Sequence, residues 1–424
     1  MSDTEEFEKI FGKARWNQSE PFEVHAFVAE TDRTEAGFLL KLELLSCDNE
    51  HVSPAILSAS TETVLELFGS DETRRIEGQW RTFQLTRGGS GGTNLSILTS
   101  LSDPEGAMYS ILAVNSTPHN VVSAHSSPTG VLASDADIRL FFECVPTLSG
   151  NKIAILDVGQ GSAAFIYRNY AGYCVAPLLY LDIGGGVWQN AKTCPAGGVK
   201  WCFTQDPNIL LSHWHWDHWA GATYGGAANV KGPLEATWLV PSAAPGPLAK
   251  KLAARIMAAG GKVMHWPPNT SFIQHGIFTL GQANGSGWND TGLVLLAELE
   301  EGRLSLLPGD AAYMHLPQPM QGKTLKTLVV SHHGGFLDAV PPSCLPIPDG
   351  MVNCHAYCSV GDQNTHGHPT LIAHYQAAGW NVVGTNMRPL GQPAVHYDAQ
   401  SGGQLGGVIM PCCKGAVCSL KLTT

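Results

Sequence analysis

The feature that most constrains this 424-residue chain is the stretch Ile209–Ala222. There an apolar run (Ile209, Leu210, Leu211) leads directly into His213, His215, Asp217 and His218. Two histidines one residue apart on a half-buried strand would leave several ring nitrogens to satisfy. At a strand end, in H-x-H-x-D-H order, the same groups can converge with a carboxylate on one or two small cations. Imidazole nitrogen with carboxylate oxygen is the donor set of zinc, with manganese or iron as alternatives. A solvated histidine-rich loop is the competing reading. It does not account for four ligand-type residues at fixed spacing behind an apolar run.

Composition bounds the rest. With 44% hydrophobic and 14% charged residues, the chain is globular and long enough for two domains. A formal net charge of −11 argues against a broad non-specific nucleic-acid surface, while leaving room for a local basic groove. Arg168, Lys192, Lys200 and Arg388 are candidates to line such a groove. The eleven cysteines are scattered, with no C-x-x-C pair facing a partner pair, which points to reduced thiols. The acidic start MSDTEEFEKIF lacks a basic-then-apolar signal, and no run approaches about 18 apolar residues. The expectation is a soluble, cytoplasmic protein with no membrane association.

Residues 1–148 read as a mostly β accessory domain of unknown function. Strands are expected at Phe22–Ala29, Gly37–Ser46, Gln79–Leu85, Met108–Val114 and Asp137–Cys144, with a helix near Thr61–Phe68. The glycine-rich run Thr86–Asn94 is not followed by Lys-Ser/Thr and a helix, so it reads as a hairpin loop rather than a phosphate cradle. Asn115–Asp135, rich in Ser, Pro and Thr, reads as a loop or linker.

From residue 149 onward, short strands alternate with glycine turns and helices, the grammar of an α/β domain. Strands are expected at Lys152–Asp157, Ala163–Tyr167, Leu178–Asp182, Ile209–Ser212, Thr237–Val240, Lys262–His265, Gly292–Leu299, Ser305–Leu307, Thr327–Ser331 and Cys354–Val360. Pro247–Ala259 and Pro369–Ala378 read as helices, each begun by proline and ended by glycine. Polar residues fall at the strand ends: Asp182 before Gly184-Gly185-Gly186, Asp310 after Gly309, His332-His333 before Gly334, and His366 and His368 in NTHGHPT. Any one of these alone is ordinary turn chemistry.

Their joint order, D-x-G, H-x-H-x-D-H, G-D, H-H-G, G-H-P, resembles the metallo-β-lactamase fold. More narrowly, it is similar to the soluble catalytic domain attached to the bacterial competence DNA-uptake channel, ComEC. That subgroup is marked by DVGQG, here Asp157–Gly161, and by SVG-x-x-N-x-x-GHP, here Ser359–Pro369. The resemblance covers roughly residues 150–400 and implies an αββα sandwich. It also implies two divalent metals, zinc first and manganese second, about 3.5–4 Å apart. His213 and His215 would hold the first metal, Asp217 and His218 the second, and Asp310 would bridge them. Many family members supply a further histidine about 20 residues before the Gly-Asp, where this chain has Trp288-Asn289-Asp290. The H-H-G pair, shared with the family's phosphorylcholine esterases, offers a replacement. His333 would complete the first site, His332 would face the substrate, and His368 would complete the second site.

By the same resemblance Asp182 would orient a metal-bound histidine, with Asp157 and Gln160 in support and Asn289 and His366 near the pocket. Two departures stand out. The subgroup often carries Asp where this chain has His215, and the competence protein's membrane helices have no counterpart here, so a stand-alone relative is implied. Trp214 reads as packing beneath the metal loop, whereas Trp216 or Trp219 could offer a face for stacking a base. His265 and His275 read as structural or surface histidines.

The function implied is a metal-dependent phosphodiesterase, with a nuclease as the leading reading. A hydroxide held between the metals would attack the phosphodiester, with Asp217, Asp310 and His332 as catalytic groups. Nucleic acid or a small phosphodiester would be the substrate. The alternative within the enzyme class is hydrolysis of carboxyl esters, thioesters, lactones or β-lactams by the same centre. A different class is a regulatory or effector subunit of a multi-protein system, for example in defence, whose N-terminal domain binds a protein partner.

Overall fold

Alternation decides the first sheet. Val24, Ala26 and Val28 are buried on one face of β1 (Phe22–Thr34), and Leu40, Leu42 and Leu44 repeat the pattern on β2 (Gly37–Ser46). This computed structural model describes residues 20–405 except 35, 48–50, 89–92, 102, 104, 127–128, 147–149, 171–173, 197, 200, 224–231, 300–301, 336, 338–343, 351–352, 386–393, 395 and 400–403. Residues 89–92 of the glycine-rich run, Lys200, Arg388 and the cysteines at 412, 413 and 418 lie outside the described residues.

β1 and β2 continue into β3 (Val52–Ala59), β4 (Trp80–Arg87), β5 (Asn94–Ile97) and β6 (Ala107–Ser116). These close into a barrel in the order β1-β2-β3-β5-β6-β4, with every pairing antiparallel. Closure removes the unpaired edges an open sheet would present. The helix Thr61–Phe68 adds Val64, Leu67 and Phe68 to the barrel's core. Ser60 caps it by accepting from Thr63 N, and Gly69, at φ 72°, ends it. Compactness groups the barrel (Met1–Thr129) with Ala243–Arg255, where Leu248 N donates to the buried Glu43 carboxylate at 2.8 Å.

The second unit comprises Gly130–Ser242 and Ile256–Thr424. Its strands are β7 (Val131–Leu132), β8 (Asn151–Ile155), β9 (Ala163–Tyr170), β10 (Cys174–Ile183), β11 (Asn208–Leu210), β12 (Thr237–Val240) and β13 (Lys262–His265). They continue as β14 (Phe272–His275), β15 (Phe278–Gln282), β16 (Leu293–Glu298), β17 (Leu304–Leu307), β18 (Thr324–Leu325) and β19 (Thr327–Val329). The last are β20 (Ile347–Pro348), β21 (His355–Cys358), β22 (Asn381–Gly384), β23 (His396–Asp398) and β24 (Gln404–Leu405). A nine-stranded sheet runs β24-β23-β8-β9-β10-β11-β12-β13-β7, and a seven-stranded sheet runs β14-β15-β16-β17-β19-β21-β22. β18 and β20 pair separately. Ile153, Ile166 and Leu179 of the larger sheet share one core with Leu280, Leu295 and Leu307 of the smaller. Strands β10 to β13 run parallel, as do β17, β19, β21 and β22. The protein is thus mixed α/β, with many strands and few helices among the described residues, and its N-terminal region is mostly β.

Two sequence expectations need correction. Asp137–Cys144 is not a strand: Asp135–Phe142 is a helix. Ser134 Oγ accepts from Asp137 N while the Asp137 carboxylate accepts from Ser134 N, a capping box that fixes the start of a helix. Ile138, Phe141 and Phe142, at helical spacing, are the buried residues. Asn115–Asp135 is not one loop either, since it holds the end of β6, a helix at His119–Ser126 and β7. This is why the second compact unit starts at Gly130 rather than near residue 149: β7 pairs with β13, and the helix after it fills that unit's core.

Phe142 stacks on Phe278 with ring centroids 4.7 Å apart, both buried. Phe142→Ala is expected to destabilise the second unit by about 3–5 kcal/mol. Chemical denaturation of the full chain measures this; a change under about 1 kcal/mol would remove the helix from that core.

Candidate metal centre

The chemistry-bearing residues gather on loops that leave strand ends. His213 and His215 follow β11, and Asp217 and His218 lie on the single turn Trp216–Trp219. Asp310 follows β17, and His333 follows β19. All six are buried. Two groups of mutually close donor atoms result, one of His213, His218 and Asp310 and one of Asp217, His218 and His333, each within 4.8 Å. The Asp310 carboxylate divides between histidines. Its Oδ2 is 3.7 Å from His213 Nε2, and its Oδ1 is 3.2 Å from His218 Nε2 and 3.9 Å from His333 Nε2. His333 Nε2 lies 3.1 Å from Asp217 Oδ2.

These residues fit a cation. Nε2 of His213, His218 and His333 is buried and makes no hydrogen bond in the protein, although carboxylate oxygens stand beside each one. Buried polar atoms are almost always hydrogen-bonded. Nitrogens and carboxylates that approach one another without aligned hydrogen bonds leave their lone pairs directed into a shared space, as metal ligands do. Buried His/Asp groups here can therefore hold a metal ion.

The opposite ring edges are fixed. His218 Nδ1 lies 2.8 Å from Asp182 Oδ2, and the same carboxylate accepts from Ser212 N at 2.7 Å and Ser212 Oγ at 2.8 Å. His218 must therefore carry its proton on Nδ1, which leaves Nε2 as the donor atom. Ser212 Oγ also lies 3.1 Å from His213 Nδ1. Only a donor suits a carbonyl, so His333 Nδ1, 2.7 Å from the Ser359 carbonyl, gives its proton there. Asp182 sits at φ 58°, and His332 and His333 at φ 49° and 54°, conformations that non-glycine residues rarely adopt.

The backbone around Asp217 is equally set. Its carbonyl accepts from Ser162 N and Gly185 N, and a Cβ at Gly184 would collide with that same oxygen. Gly159, Gln160 and Gly161 of the DVGQG run lie close by. Gly159 N donates to the Asp157 carboxylate, Gln160 Oε1 accepts from Gly361 N, and Gly161 O accepts from Ser359 Oγ. Two distant sequence motifs are thereby joined.

Charge is distributed unevenly. Burial, with the neighbouring His218 and His215, holds His213 well below the ordinary histidine range. Burial opposes charge on His218 as well, but Asp310, Asp182 and Asp217 outweigh it and hold the imidazole well above that range. His333 is raised in the same way, by Asp310 and Asp217 against its burial. Burial alone would raise Asp310, yet His218, His333 and His213 hold it well below the carboxylate range.

The placement of other residues differs from the sequence reading. His333, expected beside His213 and His215, joins Asp217 and His218 instead. His215 lies outside both donor groups; its ring is 4.5 Å from that of His213 and 5.8 Å from Trp288. His368 also lies outside them, with its ring 5.5 Å from both His332 and His366. Asn289 Oδ1 is buried and makes no hydrogen bond within the protein. Trp216 and Trp219 are 1% and 0% exposed, like Trp214 at 1%, so neither offers a face for a base. The indoles form the floor of the loop, where Trp219 Nε1 donates to Trp214 O. His265 is buried with Nδ1 3.2 Å from Pro241 O, and His275 is half-buried. Lys192 is exposed and Arg168 half-buried. Ser212 was missed; its one signal is its position between the apolar run and His213.

No family model matches the chain, and no curated protein matches it.

Asp182→Asn would set an amide against His218 Nδ1–H or against the two Ser212 donors. Metal affinity is expected to fall about 10–100-fold. Competition with a chromophoric chelator reads this directly; unchanged affinity would mean that Asp182 does not orient a ligand.

Proposed function

We propose that the chain is a metal-dependent phosphodiesterase acting on nucleic acid, and that its second unit is a metallo-β-lactamase αββα sandwich. The fold reading is supported by two mixed sheets facing one another across a common core, with polar loops from both sheets meeting at the strand ends. The observation that carries the function is the overlap of two buried donor groups on His218, with half-exposed His332 immediately beside His333.

His218 has one lone pair to offer, because Asp182 holds its Nδ1. The two groups therefore cannot each take it. The division of the Asp310 oxygens resolves this. One cation would be held by His213 and Asp310 Oδ2, next to His215. The other would be held by Asp217, His218, His333 and Asp310 Oδ1. Zinc suits this nitrogen and oxygen set, and manganese is the alternative. Such cations supply Lewis acidity toward a phosphoryl oxygen and acidify water.

The chain's own groups do the rest. Asp182 and Ser359 keep the ligand imidazoles in the tautomer that turns Nε2 inward. Asp217 and Asp310 place negative charge where cations are to sit. His332 lies within reach of solvent, where its ring can give a proton to a leaving oxygen or hold a non-bridging one. The buried indoles of Trp214, Trp216 and Trp219 keep water from beneath the loop.

The test is hydrolysis of bis-p-nitrophenyl phosphate and of labelled single- and double-stranded DNA and RNA, with zinc and with manganese. Asp217→Ala is expected to abolish cleavage and reduce bound metal. His332→Ala is expected to lower the rate about 10²–10⁴-fold with bound metal unchanged. Turnover of a thioester, lactone or β-lactam panel without any phosphodiester cleavage would overturn the phosphodiesterase reading and leave a metallo-hydrolase of acyl substrates.

A further inference from the structure

A third group of potential ligands lies on the barrel. Val24 and Ala26 point into the barrel core, so Glu23 and His25 point to the opposite face of β1. Ser46 pairs with Val24, which brings Cys47, one residue past the end of β2, alongside Glu23. One donor atom from each of Glu23, His25 and Cys47 lies within 4.8 Å of the other two. Cys47 Sγ is 3.7 Å from Glu23 Oε1. A thiolate and a carboxylate oxygen on one tetrahedral zinc, with bonds of about 2.3 and 2.0 Å, stand roughly 3.5 Å apart.

His25 is prepared for the role. It is 4% exposed, and its Nδ1 lies 2.9 Å from Thr82 Oγ1. Thr82 gives its own proton to Thr117 Oγ1 at 3.2 Å, so it accepts from the imidazole. This leaves the lone pair on Nε2, in the manner of a metal-bound histidine held by a hydrogen bond on its far side. Burial also keeps His25 below the ordinary histidine range, hence neutral near pH 7. Glu23 and Cys47 are exposed, so a cation has a path in and a fourth position stays open to water. A thiolate selects zinc or another soft divalent ion over magnesium or calcium.

We propose that Glu23, His25 and Cys47 form a second, independent metal site on the barrel, one that takes zinc. It ties the beginning of β1 to the end of β2. The competing account is a weak thiol hydrogen bond from Cys47 to the Glu23 carbonyl, 3.2 Å away.

Cadmium separates the two. Thiolate bound to cadmium absorbs in the ultraviolet through charge transfer, while the centre around His218 has only nitrogen and oxygen donors and stays silent. The metal-free full chain is titrated with cadmium beside Cys47→Ser and Glu23→Gln, both exposed positions. A saturating band is expected in the parent chain. Its amplitude should drop in Cys47→Ser, and the part that depends on Cys47 should need at least about tenfold more cadmium in Glu23→Gln, as loss of a ligand should cost no less than loss of an outer partner. Zinc should displace it. No band, a band of undiminished amplitude in Cys47→Ser, or an unchanged titration of that part in Glu23→Gln, which would mark a lone adventitious thiol, would each overturn the site.

Discussion

The hydrogen bonds around Asp182 are what the centre depends on. One carboxylate takes Ser212 N, Ser212 Oγ and His218 Nδ1, so it fixes both the path of the chain into the loop and the ring that both donor groups share. Asp182 ends an apolar strand and adopts a left-handed backbone, a conformation that costs on the order of 1–3 kcal/mol for a residue with a side chain. Three hydrogen bonds to a buried charge, each stronger than a neutral one, offset that cost. The result is rigidity at the point where Nε2 of His218 must be aimed.

Burying acids and imidazoles together is unfavourable unless charges compensate. The histidines that surround Asp310 hold it well below the carboxylate range, and the acids favour a proton on His218 and His333, holding both above the ordinary histidine range. A divalent cation can take the place of those protons, after which each Nε2 has a partner and each carboxylate a counter-charge. The same residues that would be a stability problem without an ion thus become a binding site with one. Backbone contacts keep the arrangement from relaxing. With the Asp217 carbonyl held by Ser162 N and Gly185 N, and no room for a side chain at Gly184, the one-turn helix cannot drift from the larger sheet.

How far the sequence discloses this depends on where the partners lie. The helix Thr61–Phe68 and β2, β12 and β13 are readable because their signals are local: a serine cap, a terminal glycine, alternation, a bounded apolar run. Asp137–Cys144 misleads because the capping box at Ser134 sits outside the stretch that alternates. In the same way, His213, His215, Asp217 and His218 announce themselves by spacing, but a carbonyl such as Ser359 O has no sequence signature at all. Nor does burial of an indole: Trp216 and Trp219 resemble a stacking surface in one dimension and form a floor in three. The β-barrel was legible as β content only, since closure depends on the pairing of β1 with β4 across more than fifty residues.

The His332-His333 turn shows why the centre needs strain as well as ligands. Two consecutive residues in a left-handed conformation are disfavoured for any side chain larger than hydrogen. Here the turn is clamped on every side. Gly335 N donates to His332 O, Gly334 O accepts from Thr370 N and Leu371 N, and Ser331 Oγ donates to Ala311 O. Side chains at Gly334 and Gly335 would strike Pro369 and His368, so the glycines let the GHP segment close against the turn. The left-handed pair separates adjacent imidazoles: His333 goes inward to Asp217 and Asp310, and His332 stays half-exposed beside His368. A regular helix would set these neighbours about 100° apart around its axis at a fixed rise, with no freedom to bury one against carboxylates and present the other. The strain is the means by which one dipeptide sets one imidazole among buried carboxylates and leaves its neighbour half-exposed.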